Sequence, residues 1–433
     1  MGESRRDEGL VRAVGPWGLA ASIVNMVVGA GIFAVPASLA ASVGPYAPIA
    51  FVVCAIAIGS IAICFAEGGS RVPTSGGAYG YVEVAFGPLV AYATGTLLWF
   101  SDLLACGGVA AALADVVSSL FTPEWQAVAR VAVVLIAIGT IAMINIGGVA
   151  RGARVVSVAT VVKLIPLAIF IVVGATAIDT ANFAVPTHVD TQGIGRALIL
   201  ALFAFTGMEV SLCASGEVAQ PTRTIPRALL IAMLSVTLLY VAIQVVAQGI
   251  LGPALAKSTV PLADAMGQIS PALRLLLLGG AAVSMLGWLS SDILGTPRIL
   301  FAFARDGLMP RVLGRVHPRS HAPHVAILCY AALAIVLALT GSFAELAVLS
   351  ALTVTVPYVA GCAAAWRLAR RGVALAGEPL GFRWLGVAAT IGIVSSFALV
   401  ALASPNEILG FGAAIVIAVA IYLIQTRAVL ARS

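Results

Sequence analysis

Apolar runs of about twenty residues recur along nearly the whole chain, each long enough to cross roughly 30 Å of hydrocarbon as a helix. Lipid offers no water to pair backbone N–H and C=O groups, so such runs must satisfy their own backbone as helices. Composition points the same way. Of 433 residues 61% are hydrophobic and 10% charged, with a mean hydropathy of +1.09. A water-facing surface needs about 25% charge, and a transmembrane β-barrel would show short alternating segments. The fold class expected is an all-α polytopic membrane protein with twelve spans: 14–41, 46–66, 89–120, 126–148, 154–178, 192–217, 225–250, 272–302, 323–341, 344–368, 384–403 and 407–427. The polar opening MGESRRDEGL lacks a small-residue cleavage site before the first span, so no removed leader is expected.

The net charge of +6 is a matter of topology. With the N-terminus in the cytoplasm, nineteen of the 24 Lys and Arg residues fall inside, while Arg130, Arg196, Lys257 and Arg274 fall outside and Lys163 lies within a span. That positive-inside asymmetry puts both termini in the cytoplasm and argues against a nucleic-acid partner. Cys54, Cys64, Cys106, Cys213, Cys329 and Cys362 lie in apolar stretches without a CxxC pair, so they read as small buried hydrophobes rather than a disulfide framework. The linker over 67–88 is too polar to span, but the spacing of Tyr79, Tyr81, Val84 and Phe86 predicts a short interfacial helix.

Two spans carry interruptions. VVGAGIFAVP puts Gly29-Ala30-Gly31 at half depth in span 1, and LFAFTGMEVSLCASGE puts Gly207 and Glu209 near half depth in span 6. Glycine in a helix interior costs about 1 kcal/mol relative to alanine, and backbone without helical hydrogen bonds survives there only where it faces protein, water or ligand. Taken singly, either break reads as a glycine packing notch. Matched breaks five spans apart are what an inverted repeat with a midplane substrate site requires.

These residues resemble the amino acid–polyamine–organocation transporters. VVGAGIFAVPASLA is similar to that family's span-1 signature, FAEGGSRVPTSGGAYGYVEVAFGP to its span 2–3 loop, FAFTGMEVSLCASGEVAQPTRTIPRAL to its span 6–7 signature, and PRILFAFARDGLMPRVLGRVHP to the arginine-rich stretch after span 8. The four segments keep the family's order along the chain. The resemblance implies a LeuT-type fold: a 5+5 inverted repeat over 14–178 and 192–368, two further helices over 384–427, and cytoplasmic tails at 1–13 and 428–433. It implies that the amides of Gly29, Ala30 and Gly31 hold a substrate carboxylate, as free N–H groups at the positive end of a half-helix favour an anion. The carbonyls of Phe203, Ala204 and Phe205, beside Gly207, would take the substrate ammonium. Phe203 matches an aromatic gate over the substrate and Trp288 a position below it. Ser101, Asp102 and Cys106 match positions lining the side-chain pocket, and Asp102 and Cys106 share one helix face.

Charges within the membrane carry the rest. Lys163 lies nine residues beyond Arg154, about 13 Å into the bilayer. Its side chain is too short to snorkel out, and a mid-span charge costs about 2.5–3.5 kcal/mol without a partner. In proton-coupled and exchange-type relatives a lysine here stands in place of a sodium ion, between the span-1 break and span 8. Glu209 is either a proton carrier or an anchor for the unwound backbone. Asp292, six residues before Arg298, is expected to form an internal ion pair with it, a part in transport being the alternative, and no second acid is evident beside Asp102. His317, His321 and His324 sit in a loop without carboxylates, so no metal is expected, and no cofactor.

The function expected is a secondary active transporter, a sodium-independent proton symporter or exchanger, for amino acids. Asp102 makes cationic amino acids or amines possible substrates and small neutral amino acids the alternative. A membrane-embedded enzyme would need convergent acid, base or metal ligands, and no GxxxxGK[ST] exists for ATP. A transporter-like sensor without turnover is the alternative from another class. Partners are then the substrate, protons and the bilayer. A monomer or homodimer in a bacterial inner membrane is expected.

Overall fold

In the computed structural model the described residues are 15–29, 31–72, 78–147, 163–184, 191–209, 220–305, 307–320, 322–375, 378–413, 415, 416 and 420. The regular elements among them are helices: α1 (Pro16–Val27), α2 (Gly31–Val43), α3 (Ala47–Arg71), α4 (Ala78–Phe86), α5 (Pro88–Ser118), α6 (Pro123–Ile146), α7 (Lys163–Ala177), α8 (Thr191–Phe205), α9 (Pro221–Leu251), α10 (Pro261–Gly267), α11 (Pro271–Gly295), α12 (Pro297–Arg305), α13 (His324–Thr340), α14 (Phe343–Arg370), α15 (Leu385–Ala401) and α16 (Pro405–Ala413). Proline opens α1, α5, α6, α9 and α11, where its missing N–H would have no helical partner anyway. A capping box of Ser342 and Glu345 opens α14.

Six segments among the described residues are long and apolar enough to cross a membrane: Gly31–Arg71, Pro88–Ser118, Pro123–Ile146, Arg223–Lys257, Pro271–Arg305 and Phe343–Arg370. A seventh arises if α15 and α16, bent by 116°, count as one. The protein is therefore a polytopic helical membrane protein. Of the other expected spans, the first half of span 1 (α1), the first half of span 6 (α8) and α13 are apolar helices too short to cross alone, α2 runs on into α3 within Gly31–Arg71, and 148–162, 210–219 and most of 414–433 lie outside the described residues.

Two long helices, α5 and α14, share the most extensive interface and form the centre, with α6, α11 and α13 packed on α5. On α9, Leu230, Leu234 and Leu238 are 58–70% exposed while Val236, Tyr240, Ile243 and Ala247 are buried. An apolar stripe exposed on an otherwise packed helix faces lipid. α4 forms where a short interfacial helix was expected, but Tyr81 and Val82 are buried, Tyr81 edge-on to Phe65 of α3 at 5.9 Å. The linker is a packed part of the protein at that point.

The end of α3 is strapped to the connection between α14 and α15. Glu67, fully buried, pairs with Arg71 at 2.7 Å and accepts from the amides of Gly381 (3.3 Å) and Phe382 (3.1 Å). Arg71 donates to Val373 O at 3.0 Å and accepts from Leu375 N at 2.8 Å, and Ser70 Oγ accepts from Leu380 N at 3.1 Å.

Candidate functional site

The chain leaves helical geometry after Val27 and resumes it at Gly31; Val28 has ψ 74°. Ala30, one of the three expected carboxylate amides, lies outside the described residues. α8 ends at Phe205, Thr206 turns back on Phe203 O through both its N–H (3.1 Å) and its hydroxyl (2.7 Å), and Gly207 follows at φ 111°. Only glycine takes that φ without strain.

The two breaks lie against each other. A Cβ on Gly31 would stand 3.2 Å from Ala204 Cα, and one on Gly207 would stand 3.0 Å from Met26 O. Gly29 is covered on another side by Trp288 of α11, whose Cδ1 would be 2.6 Å from its Cβ. Phe203 stacks edge-on with Phe343 of α14 at 5.7 Å. Gly29, Gly31, Phe203, Ala204, Phe205, Gly207 and Trp288 are thus brought to one place.

Buried polar side chains from distant helices hold this crossing. Lys163, 1% exposed at the start of α7, donates to Asn25 O at 2.5 Å and Val28 O at 2.7 Å. Carbonyls at a helix C-terminus have no intrahelical partner and carry the negative end of the dipole, so an ammonium is stabilised there. Ser284 of α11 donates to the next carbonyl along the break, Gly29 O, at 3.2 Å. Glu209 accepts from Gly207 N at 3.1 Å and from the Tyr358 hydroxyl of α14 at 3.1 Å. Tyr240 of α9, fully buried, puts its hydroxyl 2.8 Å from Val27 O and 2.9 Å from Ala204 O, joining the two breaks through one group.

Asp102 lies on a neighbouring cluster. The Thr296 hydroxyl is 3.2 Å from Asp102 Oδ2 and 2.9 Å from Asp292 Oδ1, and Tyr330 donates to Asp292 Oδ2 at 2.6 Å. Two sequence expectations are corrected here. Asp292 does not pair with Arg298, because six residues turn a helix about 240° past a full turn while Thr296, four residues on, shares its face. Asp292 is also the second acid beside Asp102. Cys106 is fully buried, and Ser101 turns its hydroxyl to Ser350 O of α14 at 3.0 Å, where it joins helices.

Tyr240, Ser284, Thr296, Tyr330 and Tyr358 escaped the sequence reading. A signal existed for the first: Tyr240, Gln244 and Gln248, at successive i+4 steps in an apolar run, mark one polar face of α9, and all three are buried. His317 and His324 stack edge-on at 5.8 Å, and among the described residues no three His, Cys, Asp or Glu side chains group to hold a metal. The five described cysteines are free.

Residues 14–425 match the family described as amino acid permease. The branched-chain amino acid permease BcaP of Bacillus subtilis (strain 168) is 26% identical over 347 residues, covering 74% of this chain and 73% of its own. The serine/threonine exchanger SteT of the same organism is 28% identical over 378 residues, covering 84% and 85%. The uncharacterized transporter Rv1999c of Mycobacterium tuberculosis (strain ATCC 25618 / H37Rv) is 31% identical over 348 residues, covering 78% and 74%. Two abutting helix breaks in a polytopic bundle and a match over nearly the whole length lead to one conclusion: the chain belongs to the amino acid permease family, as a membrane transporter of amino acids and not an enzyme.

Proposed function

We propose that this permease is a sodium-independent secondary transporter, a proton symporter or an exchanger, built as the twelve-span inverted repeat with both termini cytoplasmic in a bacterial inner membrane. The substrate carboxylate binds the amides of Gly29, Ala30 and Gly31. The ammonium binds carbonyls at the end of α8. Phe203 O already accepts twice from Thr206 and Ala204 O faces Tyr240, so we assign the ammonium to Phe205 O. Phe203 covers the substrate and Trp288 supports the opposite wall.

The observation that carries the coupling reading is the Lys163 ammonium on Asn25 O and Val28 O. A fixed amine there fills the place a coupling cation would take. Glu209 acts as the anchor of the unwound backbone, an assignment supported by its bonds to Gly207 and Tyr358. Uptake of labelled amino acids into proteoliposomes, with and without a sodium gradient, tests the proposal. Accumulation driven by sodium through the unaltered protein, or binding without any uptake, overturns it.

The substrate class we assign is small or branched neutral amino acids. Asp102 is engaged by Thr296, and BcaP and SteT are by name neutral amino acid transporters. A second reading, cationic amino acids or amines, is favoured by the closeness of Asp292 to Asp102. Competition by arginine, lysine and putrescine, weakened by Asp102→Asn, would select the second reading over the first.

A further inference from the structure

Between the ends of α2, α8 and α15 lies a cavity of about 630 Å³ that the function just proposed leaves unused. Its wall includes Ser38 and Ser42 of α2, Arg196 of α8, Ser258, and Ser404 and Glu407 at the turn into α16. The volume falls within the roughly 300–1,000 Å³ of small-molecule sites. Close backbone packing fixes the wall: a side chain on Gly193 would collide with the Ser42 carbonyl, and a Cβ on Gly195 would stand 2.7 Å from Leu402 O.

The charges in this cavity are held apart. Arg196 Nη1 stands 3.7 Å from Glu407 Oε1, with the two side chains 47% and 18% exposed. A closed charge-assisted bond measures about 2.7–2.9 Å, so the pair attracts without consuming its hydrogen-bonding capacity. Glu407 is fixed in place because its other oxygen accepts from Ser404 N at 2.8 Å. A guanidinium fork suits a carboxylate bidentately, and the fixed Glu407 carboxylate suits an ammonium. Together they complement a zwitterion.

The cavity also stands in line with the breaks. Ala344 is part of its wall, and the adjacent Phe343 carries the ring that meets Phe203. Phe203 Cδ1 in turn lies 4.0 Å from where a Cβ on Gly31 would be. In the proposed topology this end faces outward, where Arg196 is one of four basic residues.

We propose that this cavity is a second, outer amino acid site. Arg196 takes the α-carboxylate, and Glu407 takes the α-ammonium, before the substrate passes the Phe203–Phe343 pair. The proposal rests on the transport reading above, and its test separates the two. In the full-length protein in micelles, Gly31→Val closes the inner site, and saturation-transfer NMR with L-isoleucine reads what remains. The signal should persist, and should fall about fivefold or more on adding Arg196→Gln, a loss of the size expected for a partly exposed charge contact. It should fall likewise when 2-methylbutylamine or 3-methylpentanoate replaces L-isoleucine. In proteoliposomes, Arg196→Gln alone should raise the KM for L-isoleucine and L-serine about fivefold. A signal and a KM that stay within twofold while the thermal midpoint falls would make the pair a tether between α8 and α16, and overturn the proposal. If Gly31→Val does not fold, the KM comparison decides alone. If the unaltered protein takes up no amino acid the transport reading falls, while an Arg196-dependent signal would still support the outer site.

Discussion

Replacing Lys163 by methionine removes the ammonium and keeps an unbranched side chain of similar length. Two charge-assisted bonds are lost, at 2.5 Å to Asn25 O and 2.7 Å to Val28 O. At about 1.5–3 kcal/mol each they contribute roughly 3–6 kcal/mol. Against them stands the cost of a mid-membrane charge, about 2.5–3.5 kcal/mol. The difference runs from about zero to about 3 kcal/mol in favour of lysine. Lys163→Met should therefore fold and lower the thermal midpoint by only about 6 °C or less. Transport should suffer far more, because the end of α1 loses the cation that fixes its carbonyls. A fall of about tenfold in the initial uptake rate corresponds to only ~1.4 kcal/mol of barrier, and a loss at least that large is expected in proteoliposomes over a pH series. Wild-type rates with a wild-type pH profile would refute the reasoning. So would a collapse of the thermal midpoint before activity is lost, which would make Lys163 a structural ion.

Tyr240→Phe leaves no cavity but strips a hydrogen bond shared by Val27 O and Ala204 O, so a stability loss of about 1–3 kcal/mol is expected by thermal denaturation, with slowed uptake. Gly29→Val and Gly31→Val should each abolish uptake while leaving protein in the membrane, since their Cβ atoms meet Trp288 and Ala204 at 2.6 and 3.2 Å; normal uptake by both would dismiss the carboxylate assignment. Glu67→Gln leaves Arg71 buried without its counter-ion and should cost about 3–5 kcal/mol, the loss typical of a broken buried pair. A midpoint unchanged in thermal denaturation would show that the pair contributes nothing net.

What was legible in the sequence was what repeats or what is locally costly. The apolar runs announced the membrane, the Gly-Ala-Gly stretch and Gly207 announced the breaks, and Lys163 stood out because a lone charge at that depth demands a partner. The partners themselves were not legible. Lys163 meets carbonyls 135 and 138 positions away, and Tyr240 meets Val27 across 213. Backbone carbonyls have no sequence identity to read, so only the fold reveals which of them a side chain will reach. Asp292 shows a different failure. Opposite charges six residues apart suggest a pair, whereas helix geometry brings together positions three and four apart, and Thr296 is the partner within that rule.

The strap at the end of α3 bears on how such a molecule can move. Five hydrogen bonds join Ser70, Glu67 and Arg71 to Val373, Leu375, Leu380, Gly381 and Phe382. Any rocking that exposes the substrate to the other side of the membrane must carry α3 and the connection into α15 as one body, because parting them would break all five bonds and take two amide donors from the buried Glu67 carboxylate. Elsewhere the ties are lighter: the two helix breaks are joined to each other through Tyr240, whose single phenolic hydrogen serves Val27 O and Ala204 O in turn.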